Sequence, residues 1–502
     1  MLIGSSFETV LGNYIGNCHA LSFSTDYSKT LENARRYFRD SRETYSLWIA
    51  GTRIYICSSP EDVASLLGNT TTVANPNLIN LMRWLGVSEE GVTRFFQVDT
   101  AAQHDIGTGK PQTPVSMMDG FHRRQLKSGP LVEDLIHRRL LPEVDRTLKG
   151  LEDDAKPSAD GISESLLRIC SDMFIGGAIT AFLGDQIRES CPALVSAFTM
   201  WERTCWKWAF KMPAVLSRDM LQARDGMVNA FVCYLDIPAD DRQDAAYFIK
   251  ATEAMLRDVG LCDTGDIARI LVVQFFNILS NVYKAAFWTI AYLLYEPSLV
   301  ERIRSEIAPA VKHGQVQDEA FLSGSCPLLD SLMSESFRLT VASSLGREVV
   351  GPTPVKDKIL QPGSVLMFPI HQLHFDPSVW GPDPRAMDPN RFAQDPKLYA
   401  SRSYRPFGGG HSLCPARFFV RRIIGYAVAS LVTKFEVDVD IERTRQKVGT
   451  KRPSGEQAQT GPAKGIESIN FPRVDLSKPS PGASLPVVQG EDVYVVLKRA
   501  SP

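Results

Sequence analysis

A helical pattern of about 30 residues, the longest in the chain, constrains the fold most. It begins near Gly265 and Asp266, continues through the apolar run ARILVVQFFNILSNVYKAAFWTIAYLLY, and stops at Glu296 and Pro297. At a rise of 1.5 Å per residue, such a helix measures about 45 Å and crosses a whole domain. Such a helix is buried in the core by default. Along the chain, helical patterns greatly outnumber strand patterns, so the fold should be mainly α.

The rest of the chain agrees with one mainly α domain that carries a small β-rich region. With 502 residues and 44% hydrophobic content, the chain is able to bury a large core. Because no repeat or clear linker divides it, we expect residues 1–502 to form a single domain. Strand-like runs occur at TYSLWIAGTRIYICSS, which should form a hairpin that turns at Ala50 and Gly51, and at REVVGPTPVKDKILQPGSVLMFPI and EDVYVVLKRA.

Charge and cysteine usage exclude several classes of protein. Lysine and arginine number 55 against 57 acidic residues, so the chain has no electrostatic footprint for nucleic acid, and a neutral small molecule fits better. The nine cysteines are scattered singly, which favours a reducing compartment. The first 20 residues have neither a basic leader nor a long apolar run, so we expect a protein that is soluble or only peripherally attached to a membrane.

Polar residues interrupt the long helical pattern near its middle. Asn277, Ser280, Asn281 and Lys284 lie on neighbouring faces of the helix, each within about one turn of the next. A buried lysine is unfavourable unless it is paired or neutral, so Lys284 either reaches a partner or faces a wet cavity. The alternative is that these residues form a stripe of the helix that faces solvent.

The strongest chemical signal is RPFGGGHSLCPARFFVRRIIGYAVASLV at 405–432, where a glycine-rich stretch precedes Cys414 and an apolar-periodic helix. A metal-binding thiolate is deprotonated, and backbone N–H groups at a helix N-terminus lower its pKa. Gly408, Gly409 and Gly410 permit positive φ angles and a close approach to a flat cofactor. A structural cysteine or a phosphate loop are the alternatives, but the stretch has neither GxGxxG spacing nor a GK[ST] ending.

The stretch FGGGHSLC resembles the haem-binding loop of cytochromes P450, whose pattern is F-x-x-G-x-x-x-C. Phe407, Gly410 and Cys414 occupy the three defined positions. The resemblance implies the cytochrome P450 fold in a single catalytic domain. It also implies haem b, iron protoporphyrin IX, as cofactor, with Cys414 as the axial ligand of the iron.

The chain differs from the family pattern at two positions near Cys414, and it has an arginine where the family often binds the haem edge. The family usually has glycine where Ala416 stands and often has a basic residue where Ser412 stands, with His411 one place earlier here. Arg347, in LGREVV, stands where family members often bind a haem propionate, and an ordinary charge at a strand edge is the alternative. We therefore expect His411 and Arg347 among the cofactor-binding residues.

Two further motifs of the family occur in the expected order before Cys414. Glu335 and Arg338, in LDSLMSESFRLT, share one helix face at the E-x-x-R spacing. Arg391, in DPNRFA, matches the arginine of P-x-R-F. The resemblance implies that Glu335, Arg338 and Arg391 form a structural network, although each pattern alone is typical of a surface pair. The family's H-x-D-P-x-x-W segment is matched by His374, Asp376 and Trp380.

The middle of the long helix departs from the family pattern of small-Gly-x-acid-Thr, whose acid and alcohol deliver protons. The matching stretch here runs from Ser280 to Lys284, which makes Ser280, Asn281 and Lys284 the candidate catalytic residues. Asn281 followed by AAFW resembles the subset that contains prostacyclin synthase and the steroid 7α- and 12α-hydroxylases. Some members of that subset isomerise peroxides, and others hydroxylate.

The resemblance implies a monooxygenase that inserts one atom of O2 into a lipophilic small molecule. Its electrons would come from NADPH-cytochrome P450 reductase, at the cytoplasmic face of the endoplasmic reticulum. The FGGG and CPAR motifs resemble those of fungal members that tailor terpenoids, polyketides or alkaloids in secondary metabolism. A redox-neutral isomerase or dehydratase on the same haem is the second hypothesis, because the usual proton relay is missing. A non-catalytic haem sensor is a hypothesis from a different class.

Overall fold

The computed structural model describes residues 22–23, 26–49, 51–98, 112–156, 160–209, 212–342, 344–448, 471–477 and 482–500. Its strands are β1 Tyr45–Ile49, β2 Thr52–Ile56, β3 Thr72–Val73, β4 Ile162–Ser165, β5 Val311–Lys312, β6 Gln315–Val316, β7 Ser344–Val349, β8 Thr353–Val355, β9 Lys358–Leu360, β10 Val365–Pro369, β11 Phe435–Val439 and β12 Tyr494–Arg499.

The first half of the chain is dominated by helices, of which α6 and α7, and likewise α8 and α9, are joined by π-helical turns. These helices are α1 Tyr27–Tyr37, α2 Pro60–Leu67, α3 Asn75–Leu85, α4 Glu89–Phe96, α5 Pro114–Leu126, α6 Pro130–Glu133, α7 Leu141–Ala155, α8 Leu166–Ser171, α9 Gly177–Leu183, α10 Gln186–Ser190, α11 Leu194–Thr204, α12 Trp206–Ala209, α13 Arg218–Asp236 and α14 Tyr247–Asp258.

The second half contains the central helices and the elements that carry the cysteine loop. Its helices are α15 Thr264–Leu279, α16 Val282–Leu294, α17 Pro297–Ile307, α18 Glu319–Ser325, α19 Pro327–Thr340, α20 Ile370–His374, α21 Pro377–Trp380, α22 Arg391–Gln394, α23 Arg417–Lys434 and α24 Ile441–Val448. The fold is therefore mainly α with a small β-rich region, as predicted.

The predicted long helix forms the centre of the fold, but the structure divides it into α15 and α16. Every residue of α16 after its first is buried, including Trp288, whose indole N–H donates to the carbonyl of Leu485 at 2.8 Å. The prediction of one continuous helix is wrong at Ser280 and Asn281, where the helix ends and begins again. The side-chain oxygen of Asn281 accepts from the backbone N–H of Ser484 at 2.9 Å, and side chains that bond backbone groups compete with helical hydrogen bonding.

The small β-rich region is built around a five-stranded sheet of order β1-β2-β10-β7-β3. The predicted hairpin pairs β1 with β2 antiparallel, from Tyr45 opposite Ile56 to Ile49 opposite Thr52. Strand β10 joins β2 in parallel and β7 antiparallel, so the second predicted β-rich run completes the sheet that the hairpin begins. The sheet has apolar clusters of its own beside the large helical core.

Two helical stretches among the described residues are long and apolar enough to cross a membrane, Leu166–Leu183 and Thr264–Leu294. In each of them 72% of the most apolar window is buried inside the molecule, as expected for core helices. The expectation about a leader or anchor concerns residues 1–21, which lie outside the described residues.

The C-terminal strand β12 lies between β11 and β4 in a three-stranded antiparallel sheet. Gly161, which leads into β4, has a φ of +80°, and a Cβ there would lie 2.4 Å from the carbonyl oxygen of Leu497. Only glycine fits this approach of two backbones.

Gly161→Ala is expected to destabilise the protein more than Gly51→Ala, a control with the same backbone strain but open space. Gly51, in the β1–β2 turn, has a φ of +79° and no atom within 4 Å of its added Cβ. The control should lose roughly 1–2 kcal/mol from the left-handed conformation alone. Urea unfolding followed by circular dichroism measures both variants, and equal losses would contradict the packing argument.

Candidate active site

The loop that carries Cys414 ends directly at the N-terminus of α23. The backbone N–H of Cys414 donates to the carbonyl of Phe407 at 2.9 Å, which closes the loop. Helix α23 begins at Arg417 and runs for 18 residues into the core. The cysteine therefore stands immediately before a long core helix, as the sequence predicts.

Gly410 presses this loop against the end of α2. Its φ is +55°, and a Cβ there would lie 2.2 Å from the carbonyl oxygen of Leu67. Gly408 also has a positive φ, +75°, whereas Gly409 is extended. The sequence predicts that these glycines permit a close approach to a cofactor. At Gly410 the contact that excludes a side chain is with the protein's own backbone.

The protein environment of the Cys414 thiol acts in two directions. Burial raises its pKa, while the backbone N–H of Ala416 and the positive charge of Arg417 lower it. A metal ion that binds the sulfur displaces its proton, and the same N–H and guanidinium then face a negative charge. Ala416 and Arg417 thus provide the electrostatic support that a thiolate ligand needs.

Arg347 faces the cysteine loop and is buried, so an ordinary strand-edge charge does not describe it. Its guanidinium donates to the hydroxyl of Ser412 at 2.6 Å and to the carbonyl of Thr72 at 3.1 Å. His411 is exposed, and its Nε2 lies 3.2 Å from the carbonyl oxygen of Gly68. The structure therefore brings Arg347 to the loop and turns His411 towards the end of α2.

Glu335, Arg338 and Arg391 meet in one buried network. Arg338 donates from Nε and Nη2 to the two carboxylate oxygens of Glu335, at 2.7 and 2.6 Å, and Arg391 Nε donates to Oε1 at 2.9 Å. Arg338 also donates to the carbonyls of His374 and Pro384, at 2.7 and 2.6 Å. The network thus ties α19 to the segment that leads to the cysteine loop.

His374 connects this network to the loop itself. Its Nε2 accepts a hydrogen bond from the backbone N–H of Arg405 at 3.0 Å. Burial and the nearby charge of Arg338 lower the pKa of His374 to about 3, so the ring is neutral and able to accept. The other matched residues of the segment are structural too: Asp376 pairs with Arg42 at 3.1 Å, and Trp380 stacks under Arg338.

Ser280, Asn281 and Lys284 lie together at the break between α15 and α16. A Cβ added to Gly482 would lie 3.1 Å from Asn281 Oδ1, 3.1 Å from Lys284 Nζ and 3.3 Å from Ser280 Oγ, so the three polar atoms surround one point. Lys284 is buried and its ammonium lies 2.5 Å from the carboxylate of Glu202 on α11. The buried lysine with a partner is therefore correct, and the solvent-facing stripe is wrong for this residue.

The sequence interpretation missed Glu202 and the contacts of Gly482 and Ser484. Glu202 is the single acid in the tryptophan-rich stretch TMWERTCWKW, and an acid among large apolar side chains indicates a buried partner. The partner is 82 residues away, and no local pattern connects the two. Gly482 and Ser484 belong to a segment with no helical or strand period.

The residues around Cys414 fit a haem. Among the residues that the structure describes, no group of three or more His, Cys, Asp or Glu side chains is able to hold a metal ion. A single sulfur ligand would suit an iron whose remaining ligands are supplied by a porphyrin. The buried guanidinium of Arg347 beside the loop suits the carboxylate edge of that cofactor.

Known proteins with similar sequences support the same cofactor. Residues 250–456 match the family model for cytochrome P450. The cytochrome P450 monooxygenase poxD of Penicillium oxalicum is 24% identical over 441 residues, covering 84% of this chain and 86% of that protein. Prostacyclin synthase of Bos taurus is 28% identical over 201 residues, 35% of this chain and 40% of its own. The 5-beta-cholestane-3-alpha,7-alpha-diol 12-alpha-hydroxylase of Sus scrofa is 28% identical over 206 residues, 35% and 41% of the two chains.

One protein sulfur, held at the start of a core helix in a mainly α fold, is the arrangement of the haem-thiolate enzymes. Residues 250–456 belong to the cytochrome P450 superfamily, and the chain is an oxidoreductase of the monooxygenase class. The resemblance drawn from FGGGHSLC is thereby confirmed.

The pH dependence of stability should reveal the neutral state of His374. Its pKa is about 3 in the folded chain and about 6.5 when unfolded, so between these values the unfolded chain binds the extra proton. Stability is therefore full above about pH 6.5 and falls as the pH is lowered towards 3. Thermal unfolding from pH 7.5 to 5 should give a shallower slope for His374→Asn than for the wild type. The exposed His313→Asn variant is the control, and an unchanged slope in His374→Asn would contradict the assignment.

Proposed function

We propose that this enzyme oxidises a lipophilic small molecule of secondary metabolism, with haem b bound through Cys414. Bound haem supplies the activation of molecular oxygen. The residues of the chain hold the cofactor, exclude water and deliver protons. The observation that carries the proposal is the lone sulfur of Cys414, supported by the Ala416 N–H and the Arg417 charge at the start of α23.

The surroundings of the loop support this cofactor role. The ring of Phe407 packs edge-on against Phe337 at 5.7 Å, so an apolar contact on α19 holds the loop that presents the ligand. Arg421 on α23 donates to Asp330 on α19 at 2.6 Å, which fixes the two helices on either side. We assign Arg347 to a haem propionate, because no carboxylate pairs with it among the described residues.

Ser280, Asn281 and Lys284 are the proposed proton-handling residues. They stand at the break of the central helix, where family members usually carry an acid and an alcohol. A hydroxyl and an ammonium are able to exchange protons, and the amide of Asn281 orients its neighbours by its bond to Ser484. This assignment rests on the clustering of the three polar atoms around Gly482.

A basic cavity next to the ligand supports an electron-donating protein partner. It has a volume of about 370 Å³, and Leu413 and Pro415, the neighbours of Cys414, contribute to its wall. Arg123, Lys127 and Arg417 also line it. We propose that an acidic surface of NADPH-cytochrome P450 reductase binds here, since opposite charges steer such encounters.

The proposed location is the cytoplasmic face of the endoplasmic reticulum. Its support is the turn Ala214–Leu216 between α12 and α13, where Val215 and Leu216 are 66% and 58% exposed. Adjacent exposed apolar side chains favour contact with a partner or a lipid surface.

A redox-neutral rearrangement or dehydration is the second candidate reaction. It is favoured by the likeness to prostacyclin synthase, a relative of part of the chain, and by the absence of an acid and alcohol pair at Ser280–Lys284. Fungal secondary metabolism is supported by the fungal source of the relative poxD and by the FGGG and CPAR motifs.

Replacing the ligand tests the cofactor assignment. Cys414→Ala should lose the haem pigment, or the thiolate-type Soret band of the reduced protein with carbon monoxide, because no other described residue offers a sulfur at the loop. Cys191→Ala, at a buried cysteine whose thiol donates to the carbonyl of Ala230, is the matched control and should keep both. Wild-type pigment and coordination in Cys414→Ala would overturn the proposal.

Turnover decides between the two candidate reactions. A metabolite identified by a substrate-binding difference spectrum is incubated with the holoenzyme, with and without reductase, NADPH and O2. A monooxygenase should form product only when all three are present, because the reaction consumes O2 and two electrons from NADPH. Product formed equally without reductase and O2 would establish the redox-neutral reaction.

A further inference from the structure

The polar cluster at the helix break contains a buried ion pair. The ammonium of Lys284 lies 2.5 Å from Oε1 of Glu202, and the two side chains are only 3% and 7% exposed. The second carboxylate oxygen of Glu202 accepts a hydrogen bond from the hydroxyl of Tyr283. Since an unpaired buried charge is strongly unfavourable, each residue needs the other in order to stay charged.

The other titratable groups that face this pair are neutral or exposed. Burial raises the pKa of both Tyr283 and Cys205. Arg203, the neighbour of Glu202, is exposed on α11. Glu202 is therefore the only charge partner of Lys284 among the described residues.

The ammonium is aimed at the helix break. Its Nζ and the hydroxyl oxygen of Ser280 both lie about one contact distance from the Cβ position of Gly482, at 3.1 and 3.3 Å. The Ser280 hydroxyl is buried and has no hydrogen-bond partner among the described residues. The Lys284 ammonium and the Ser280 hydroxyl therefore face the same point beside Gly482, and no hydrogen bond joins them in the described structure. The hydroxyl is thus an unused proton acceptor at the point that the ammonium faces.

We propose that Glu202 is the positioning residue of this site: it holds Lys284 charged and directed at the break, and Lys284 donates protons there. The inference rests on the proposed function and deepens it by naming the charge partner, which lies on a different helix. Glu202 acts only through Lys284. Any side chain at position 482 would separate Lys284 from Ser280, so Gly482 completes the arrangement.

The proton balance is simple. A proton leaves the ammonium of Lys284 and passes to the Ser280 hydroxyl, which releases its own proton onward. The carboxylate of Glu202 takes a proton from solvent and returns it to the amine, which restores the ion pair. Monooxygenation consumes O2, two electrons from NADPH and two protons, and yields oxidised substrate and water. If the protons arrive in the wrong place, the same electrons and protons leave as hydrogen peroxide.

The test compares holoenzyme variants by a spectroscopic signature that does not depend on turnover. The variants are Glu202→Gln, the conservative Glu202→Asp, and Lys284→Met. The matched control is Asp219→Asn, which breaks the partly exposed ion pair with Lys207, 2.7 Å long, between α12 and α13. The readout is the infrared stretching band of carbon monoxide bound to the reduced protein, because a nearby positive charge lowers its frequency.

Glu202→Gln and Lys284→Met should both move the band to higher frequency, while Glu202→Asp and Asp219→Asn should keep it at the wild-type position. The first two variants should also release several-fold more of the consumed O2 as hydrogen peroxide when reductase and NADPH are supplied. A lower unfolding midpoint with an unmoved band in both would show that the pair only fastens α11 to α16, and the proposal would be wrong.

Measurements on the wild-type protein distinguish failure of the proposed function from failure of the Glu202 inference. A wild-type protein without the thiolate-type Soret band would overturn the haem-thiolate assignment, and this inference with it. A wild-type protein with that band but without reductase-driven O2 uptake would overturn only the monooxygenase reaction. In that case the infrared comparison still decides the role of Glu202.

Discussion

A network of three charged side chains, two of them without solvent exposure, holds this structure together. Glu335 and Arg338 are fully buried, and Arg391 joins them through the same carboxylate. Removing one partner from such a network leaves an uncompensated buried charge, which typically costs about 3–5 kcal/mol. Its geometry is therefore tightly restrained, and so are the carbonyls of residues 374 and 384 that Arg338 binds. The His374 ring next receives the N–H of Arg405, and from there the chain reaches Cys414.

Much of this arrangement could be predicted because its chemistry is local in sequence. A thiolate needs N–H groups and a helix start close by, and the chain supplies both within three residues of Cys414. Glu335 and Arg338 are one helical turn apart, so their pairing follows from the helix alone. The hairpin of β1 and β2 and the later β-rich run were visible for the same reason, since each is a short alternating segment bounded by glycine or proline.

The remainder depends on contacts between distant segments. The break of the central helix requires Ser484, about 200 residues further along the chain, to supply the N–H that Asn281 accepts. Lys284 was recognised as a residue in need of a partner, but the identity of Glu202 is set by how α11 packs on α16. Gly410 is a second residue whose contact with a distant segment could not be predicted from local sequence. Its positive φ was expected, whereas the backbone that it touches, at Leu67, belongs to a helix more than 300 residues earlier.

The parallel pairing of β2 with β10 sets the order in which this chain is able to fold. Ile54 lies opposite Val365, so the N-terminal hairpin leaves the ribosome about 310 residues before its sheet neighbour exists. At a synthesis rate of roughly 5–20 residues per second, the hairpin waits for about 15–60 seconds with an open edge. An unpaired edge strand is a template for association with other chains. Nascent chains of this protein should therefore depend on chaperones during that interval, and expression at reduced temperature or with added chaperones should favour the soluble product.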